Sequence, residues 1–164
     1  RTRARKVSLV GTSMGAAVVL KVAATTQLYK TVVMSTPLET FNKHYQYARW
    51  FHFIHPVEKK KPRQFDVPPQ YYASYDEFPL LPLSSAFKEI NKMRKNCLPK
   101  ITCPILIMQS KVEKHVKPES AQIIYDNVAS SDKEIVWYYH SGHLLALDGE
   151  RLDVYQHIGA FLTK

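Results

Sequence analysis

Lys6-Val-Ser-Leu-Val-Gly11-Thr12-Ser13-Met14-Gly15-Ala-Ala-Val-Val-Leu20 is the stretch whose reading decides the fold. Lys6 to Gly11 is a short β-branched run ending at a glycine and reads as a strand. Met14 to about Thr25 is rich in Ala, Val and Leu without a breaker. Apolarity alone does not separate helix from strand there; length and the alanines (Ala16, Ala17, Ala23, Ala24) decide for a buried helix. Between the two, Gly11-Thr12-Ser13-Met14-Gly15 fits G-x-S-x-G. Five residues match by chance, but this strand–turn–helix context is the one the pattern requires. A sharp turn needs small flanks, and Gly11 and Gly15 remove the Cβ atoms that would clash with the strand and helix. Ser13 then stands at a helix N-terminus as a candidate nucleophile, where the Met14 N–H can meet an oxyanion. The plainer reading is a Ser/Gly turn capping a helix.

Working outward, Tyr29 to Ser35 is a second strand stopped at Thr36-Pro37. From Thr40 to Leu98 the pattern changes: aromatics, histidines, prolines and lysines interleave and no strand pattern survives. Phe41 to Phe53 allows a helix. Ser84 to Arg94 predicts one, with Phe87, Ile90 and Met93 on one side. The stretch between, with Pro56, Pro62, Pro68, Pro69, Pro79 and Pro82, reads as irregular. An insertion of this length between regular elements is a functional loop or a subdomain. Regular order returns with a buried-type strand at Pro104 to Ser110, a helix from Pro118 to about Val128, a strand at Lys133 to Tyr139 and a final helix at Gly149 to Leu162. That last helix carries Leu152, Tyr155, Ile158, Phe161 and Leu162 as its apolar residues. The order predicts an α/β chain with a mostly parallel sheet and crossover helices. Its organisation is 1–39 and 99–164 as one core around an insertion at 40–98.

A serine needs a base. The histidines are His44, His52, His55, His115, His140, His143 and His157. His143 lies in Ser141-Gly142-His143, just after a parallel strand's C-terminal end, where α/β sites gather. His140 is the nearest competitor; it lacks the preceding glycine. The third group is a carboxylate between Ser and His in chain order, after the strand at 104–110. Glu113 fits, and Glu119 already belongs to the next helix. The plainer readings are a loop histidine without duty and a surface carboxylate beside Lys111 and Lys114.

The bulk numbers are compatible. The chain has 164 residues, 45% apolar and 23% charged, enough for one domain with a core. Cys97 and Cys103 are too few for a disulfide framework or a metal site and read as buried or half-buried thiols; a small-loop disulfide is the alternative. No metal or cofactor is expected. No apolar run reaches the roughly 20 residues that span a bilayer, and no targeting signal follows the basic start, so a cytoplasmic protein is expected. The net charge of +9 gathers at the N-terminus, at Lys59-Lys60-Lys61 with Arg63, and across Lys88 to Lys100. No nucleic-acid motif accompanies it. Solvated basic faces are the plainer reading, with weak attraction to an anionic membrane surface as the alternative.

These residues carry a resemblance. The stretch from Lys6 to Gly15 resembles the nucleophile elbow of α/β-hydrolases. Ile101 to Gln109, Val116 to Tyr125, Trp137 to His143 and Leu147-Asp148 resemble the carboxylesterase and monoacylglycerol-lipase-like branch of that superfamily. The resemblance covers both ends of the chain, and the insertion sits where that family carries its cap. It implies a partial α/β-hydrolase fold and a serine hydrolase that cleaves small-molecule acyl esters through an acyl-enzyme. Ser13 would be the nucleophile, His143 the base, Glu113 the acid and Met14 an oxyanion donor. Tyr45, Tyr47, Trp50, Phe51, Phe53, Tyr71, Tyr72, Tyr75 and Phe78 would form an apolar pocket or the cap's own core. The family usually carries Asp where Glu113 stands. Its earlier strands, with the second oxyanion donor, have no counterpart here. That implies a missing N-terminal segment, another chain in a homo-oligomer, or a truncated non-catalytic relative that binds a ligand through its cap. The start at Arg1 favours a fragment.

Overall fold

The computed structural model describes residues 6–42, 56–59, 67, 68, 70 and 76–164. Four strands form one parallel sheet: β1 (Ser8–Thr12), β2 (Lys30–Met34), β5 (Ile105–Ser110) and β6 (Lys133–Tyr138), in the order β1-β2-β5-β6. The pairing is in register from Ser8 opposite Lys30 to Ser110 opposite Tyr138. Helix α1 (Met14–Ala23) crosses from β1 to β2, and α3 (Glu119–Asn127) from β5 to β6. Helix α4 (Arg151–Thr163) follows β6.

The core explains the sandwich. β2 and β5 are buried at every position, as expected of strands covered on both faces. Their side chains alternate between two apolar clusters. Val33, Ile105 and Ile107 pack with α1 (Ala16, Leu20), α3 (Ala121, Ile124) and the helix described next. Val32, Met34, Leu106 and Met108 pack with Tyr138 and with Val154 and Phe161 of α4. Lys30 is buried at the start of β2, and its ammonium donates to the Phe161 carbonyl at 2.7 Å. A cation there meets the unpaired carbonyls that end α4.

The expectation of no strand between 40 and 98 is corrected. β3 (Val57–Lys59) and β4 (Glu77–Pro79) form a short antiparallel pair. Three residues on each side are too few to show a period. Helix α2 runs over Leu80–Asn96, four residues earlier than the expected start at Ser84. Pro82 lies in its first turn, where a backbone N–H has no helical acceptor to lose. Phe87, Ile90 and Met93 are buried and join the cluster formed by α1 and α3. The helix allowed at Phe41 to Phe53 lies, from residue 43 on, outside the described residues. So do the side chains of the insertion aromatics from Tyr45 to Phe78.

The apolar residues expected in α4 divide between core and surface. Val154 and Phe161 are its buried residues, whereas Leu152 and Tyr155 are 71% and 48% exposed. The Tyr155 hydroxyl reaches the Ala146 carbonyl at 2.5 Å, which places the ring over the preceding loop rather than the sheet. Cys97 and Cys103 are free thiols, half-buried and buried. No helix among the described residues is long and apolar enough to cross a membrane.

Candidate active site

The C-terminal ends of β1, β5 and β6 bring three loops together. β1 ends at Thr12, and the Ser13 N–H donates to the Met34 carbonyl of β2 at 2.8 Å. Ser13 has φ 52° and ψ −122°. A non-glycine residue held there costs about 1–3 kcal/mol and persists only where its surroundings enforce it. Gly11 is one enforcer. A Cβ on it would stand 2.7 Å from both the carbonyl carbon and oxygen of Gly15. Gly15 shows no such clash among the described residues: a Cβ there meets none of them within 4 Å. Met14 opens α1, and its N–H belongs to the first turn, which lacks helical acceptors.

Glu113 lies three residues past β5. Its side chain is fully buried, unlike a carboxylate solvated beside Lys111 and Lys114. The Lys111 ammonium instead lies 3.5 Å from the centre of the Trp137 ring. Glu113 Oε2 meets His143 Nδ1 at 2.6 Å and accepts the Val116 N–H at 3.1 Å. Oε1 accepts from Gln109 Nε2 at 2.6 Å. On its other side, His143 Nε2 lies 2.8 Å from Ser13 Oγ. The tautomer follows. A carboxylate only accepts, so Nδ1 carries the ring proton and Nε2 faces the serine with its lone pair. The structure therefore brings Ser13, Glu113 and His143 into one hydrogen-bonded row. It leaves His140 outside: that residue is exposed, with its N–H on Glu150 Oε2 at 2.9 Å. Glu119 opens α3. His115 stands edge-on to His143, with ring centres 5.5 Å apart.

A second set of residues, invisible to motif reading, holds the loops. Ser110 Oγ donates to the Ser141 carbonyl at 2.5 Å and accepts the N–H groups of Val112 and Glu113 at 3.1 and 3.2 Å. One buried hydroxyl thus joins the Glu113 loop to the His143 loop. Asp148 Oδ2 accepts the Gly142 N–H at 2.6 Å, next to His143. Glu150 accepts from Tyr139 and His140, and its own N–H donates to Ser141 Oγ at 3.0 Å. Burial pushes the Glu150 carboxyl up. The His140 N–H, the Ser141 hydroxyl and the Tyr139 N–H outweigh it and hold the group below its ordinary range. The available signal was the polar pair Gln109-Ser110 closing an otherwise apolar strand. Among the described residues, no cluster of three or more His, Cys, Asp and Glu side chains is placed to hold a metal.

No family model matches the chain. A carboxylesterase of Bacillus subtilis (strain 168) is 28% identical over 161 residues, which cover 96% of this chain and 64% of that protein. The chain thus spans just under two thirds of the length of this curated relative. Among solved structures, one from work on LipS and LipT, two metagenome-derived lipolytic enzymes, matches with a TM-score of 0.87 at 20% identity. That match covers 98% of this chain and 66% of the other. The monoacylglycerol lipase of Paleococcus ferrophilus matches with a TM-score of 0.79 at 19% identity, covering 96% and 68%. Sheet order, crossover helices and these likenesses agree: the chain carries a partial α/β-hydrolase fold, similar to the carboxylesterase and monoacylglycerol-lipase-like branch of that superfamily.

Proposed function

We propose that this chain bears the catalytic residues of a serine hydrolase that cleaves small-molecule carboxylic esters. The observation that carries the reading is the continuous row Ser13 Oγ, His143 Nε2, His143 Nδ1, Glu113 Oε2, with steps of 2.8 and 2.6 Å across the ring. A nucleophile, a base in the right tautomer and a buried orienting carboxylate are what acyl transfer requires. The similarity to a carboxylesterase adds the substrate class.

In this reading Ser13 Oγ attacks the ester carbonyl carbon while His143 Nε2 takes its proton. The oxyanion develops toward the Met14 N–H at the start of α1. Glu113 holds the imidazole and balances the imidazolium. Collapse of the tetrahedral intermediate expels the alcohol, which takes the proton from Nε2, and leaves Ser13 acylated. Water then gives a proton to Nε2 and attacks the acyl carbon. A second collapse returns the proton to Ser13 Oγ and releases the acid. The aromatic-rich part of the insertion at 40–98 that precedes α2 would act as the cap over this site and as its acyl pocket, while α2 packs in the common core. The basic groups from Lys88 to Lys100 would add weak attraction to anionic surfaces.

The test is labelling by a fluorophosphonate, read by intact mass beside Ser13→Ala. One adduct, lost in the variant, is expected. With short p-nitrophenyl esters, Ser13→Ala should lose about 10⁶-fold in kcat and Glu113→Gln about 10⁴-fold, since the amide favours the wrong tautomer. A folded protein that takes no label would overturn the reading in favour of a ligand-binding hydrolase fold.

A further inference from the structure

We infer that Gln109 is a positioning residue: its carboxamide fixes the Glu113 carboxylate against His143, which lets a glutamate serve as the orienting acid. The inference rests on the reading of Glu113 given under Proposed function and goes beyond it.

The chemistry begins with side-chain length. Glutamate has one methylene and one torsion more than aspartate. A carboxylate on that longer arm can swing about its last bonds, and swinging moves both oxygens relative to Nδ1. Catalysis is sensitive to such motion, since a misplacement of about 1 Å costs up to about 10²-fold. Something must therefore hold both oxygens. Oε2 is held by His143 Nδ1 at 2.6 Å and the Val116 N–H at 3.1 Å. Those contacts alone leave the group free to pivot about Oε2. The opposite oxygen, Oε1, is held by Gln109 Nε2 at 2.6 Å. With both oxygens anchored, the plane of the carboxylate is set.

Gln109 is itself locked. It is the fifth of six residues in β5, in register with Trp137 of β6, and only 1% exposed. Its Nε2 also lies 3.3 Å from the Ser110 carbonyl. Both neighbours of Nε2 are acceptors only, so the reversed amide would set oxygen against oxygen twice; the donor must face Glu113. A neutral donor suits this place. A lysine or arginine here would form its own ion pair with the carboxylate and compete with the imidazolium that forms on His143. The amide supplies geometry without a rival charge.

The experiment compares the full chain with Gln109→Met, which keeps an unbranched side chain and removes the donor, and with Gln109→Asn, which keeps the amide but falls short of Oε1. Each is made alone and over Glu113→Asp, whose shorter arm no longer reaches Gln109. Folding is checked by circular dichroism. Gln109→Met should lower kcat and the rate of fluorophosphonate labelling by about 10- to 100-fold. KM should stay within about twofold, because ester binding is untouched. The downfield proton resonance of His143 Nδ1–H should move or broaden, which a merely structural role would not cause. Over Glu113→Asp, the same Gln109 change should alter the rate by less than about twofold, a coupling that a double-mutant cycle isolates. Wild-type kcat and an unmoved Nδ1–H resonance in folded Gln109→Met would overturn the inference. So would an equal loss in the Glu113→Asp background. Where Gln109→Met does not fold, Gln109→Asn decides by the same two measures. If the wild-type chain takes no label, the hydrolase reading fails on its own, and the Nδ1–H resonance still decides whether Gln109 holds the Glu113–His143 pair.

Discussion

Gly11 and Gly15 share the motif but differ in what surrounds them, and substitution separates their roles. A Cβ on Gly11 would stand 2.7 Å from the Gly15 carbonyl, which is backbone and cannot yield as a flexible side chain can. Gly11→Ala should cost about 1–3 kcal/mol by overpacking and should slow fluorophosphonate labelling of Ser13 by displacing its turn. Gly15→Ala meets nothing within 4 Å among the described residues, and Gly15 has no positive φ. It should be neutral or gain about 0.5–1 kcal/mol from helix propensity. Urea midpoints of the two variants check the pair; a Gly11→Ala protein as stable as the parent would show that the turn relaxes freely. That Ser13, Glu113 and His143 meet was legible from the elbow pattern and from chain order, because each follows a strand end. The contacts of Gln109, Ser110, Asp148 and Glu150 were not, although Gln109 and Asp148 stand in stretches that carry the resemblance. They act by hydrogen bonds to backbone groups or to another side chain, which leave no spacing in the sequence.

Helix α2 shows how far periodicity carries at the scale of an element. Phe87, Ile90 and Met93 recur at helical spacing, and all three are buried with α1 and α3. Ile90 is 2% exposed. Ile90→Ala should therefore cost about 2–5 kcal/mol, whereas Lys88→Ala on the exposed face should stay within about 0.5 kcal/mol. Denaturant unfolding measures both; a small loss at Ile90 would mean that α2 is not part of the common core. The strands β2 and β5 were equally legible, since burial on both faces leaves continuous β-branched and aliphatic runs. Reading stopped where the period is too short or misleading. β3 and β4 have three residues each. Proline in a first turn looks like a helix breaker and is not one in α2. In α4, the apolar residues Leu152 and Tyr155 are exposed, and packing through Val154 and Phe161 decides its rotation.

The balance of charge sets the pH range over which the whole molecule is stable. The excess of 23 basic over 14 acidic side chains gives a formal +9 at neutral pH, and self-repulsion grows as carboxylates protonate. Glu150 sharpens the acid side. Its carboxyl is held below its ordinary value, despite burial, by donors from His140, Ser141 and Tyr139. A depressed carboxylate contributes stability above its unfolded pKa, lost as pH falls through the folded one. Tyr138 acts at the other end. Burial, then the charges of Asp153 and Glu150, push its phenol well above the ordinary value of 10.0. A raised group contributes stability fully below its unfolded pKa. Above that value the unfolded chain loses the phenolic proton while the folded one keeps it, so stability falls as pH climbs from 10 upward. Thermal unfolding from pH 3 to 11 should give a dome. Glu150→Gln should flatten only its acid limb below about pH 4.5, and Tyr138→Phe only its alkaline limb above about pH 10. An alkaline limb unchanged in Tyr138→Phe would place the loss on other groups, and the burial of this phenol would then carry no part of the molecule's pH limit.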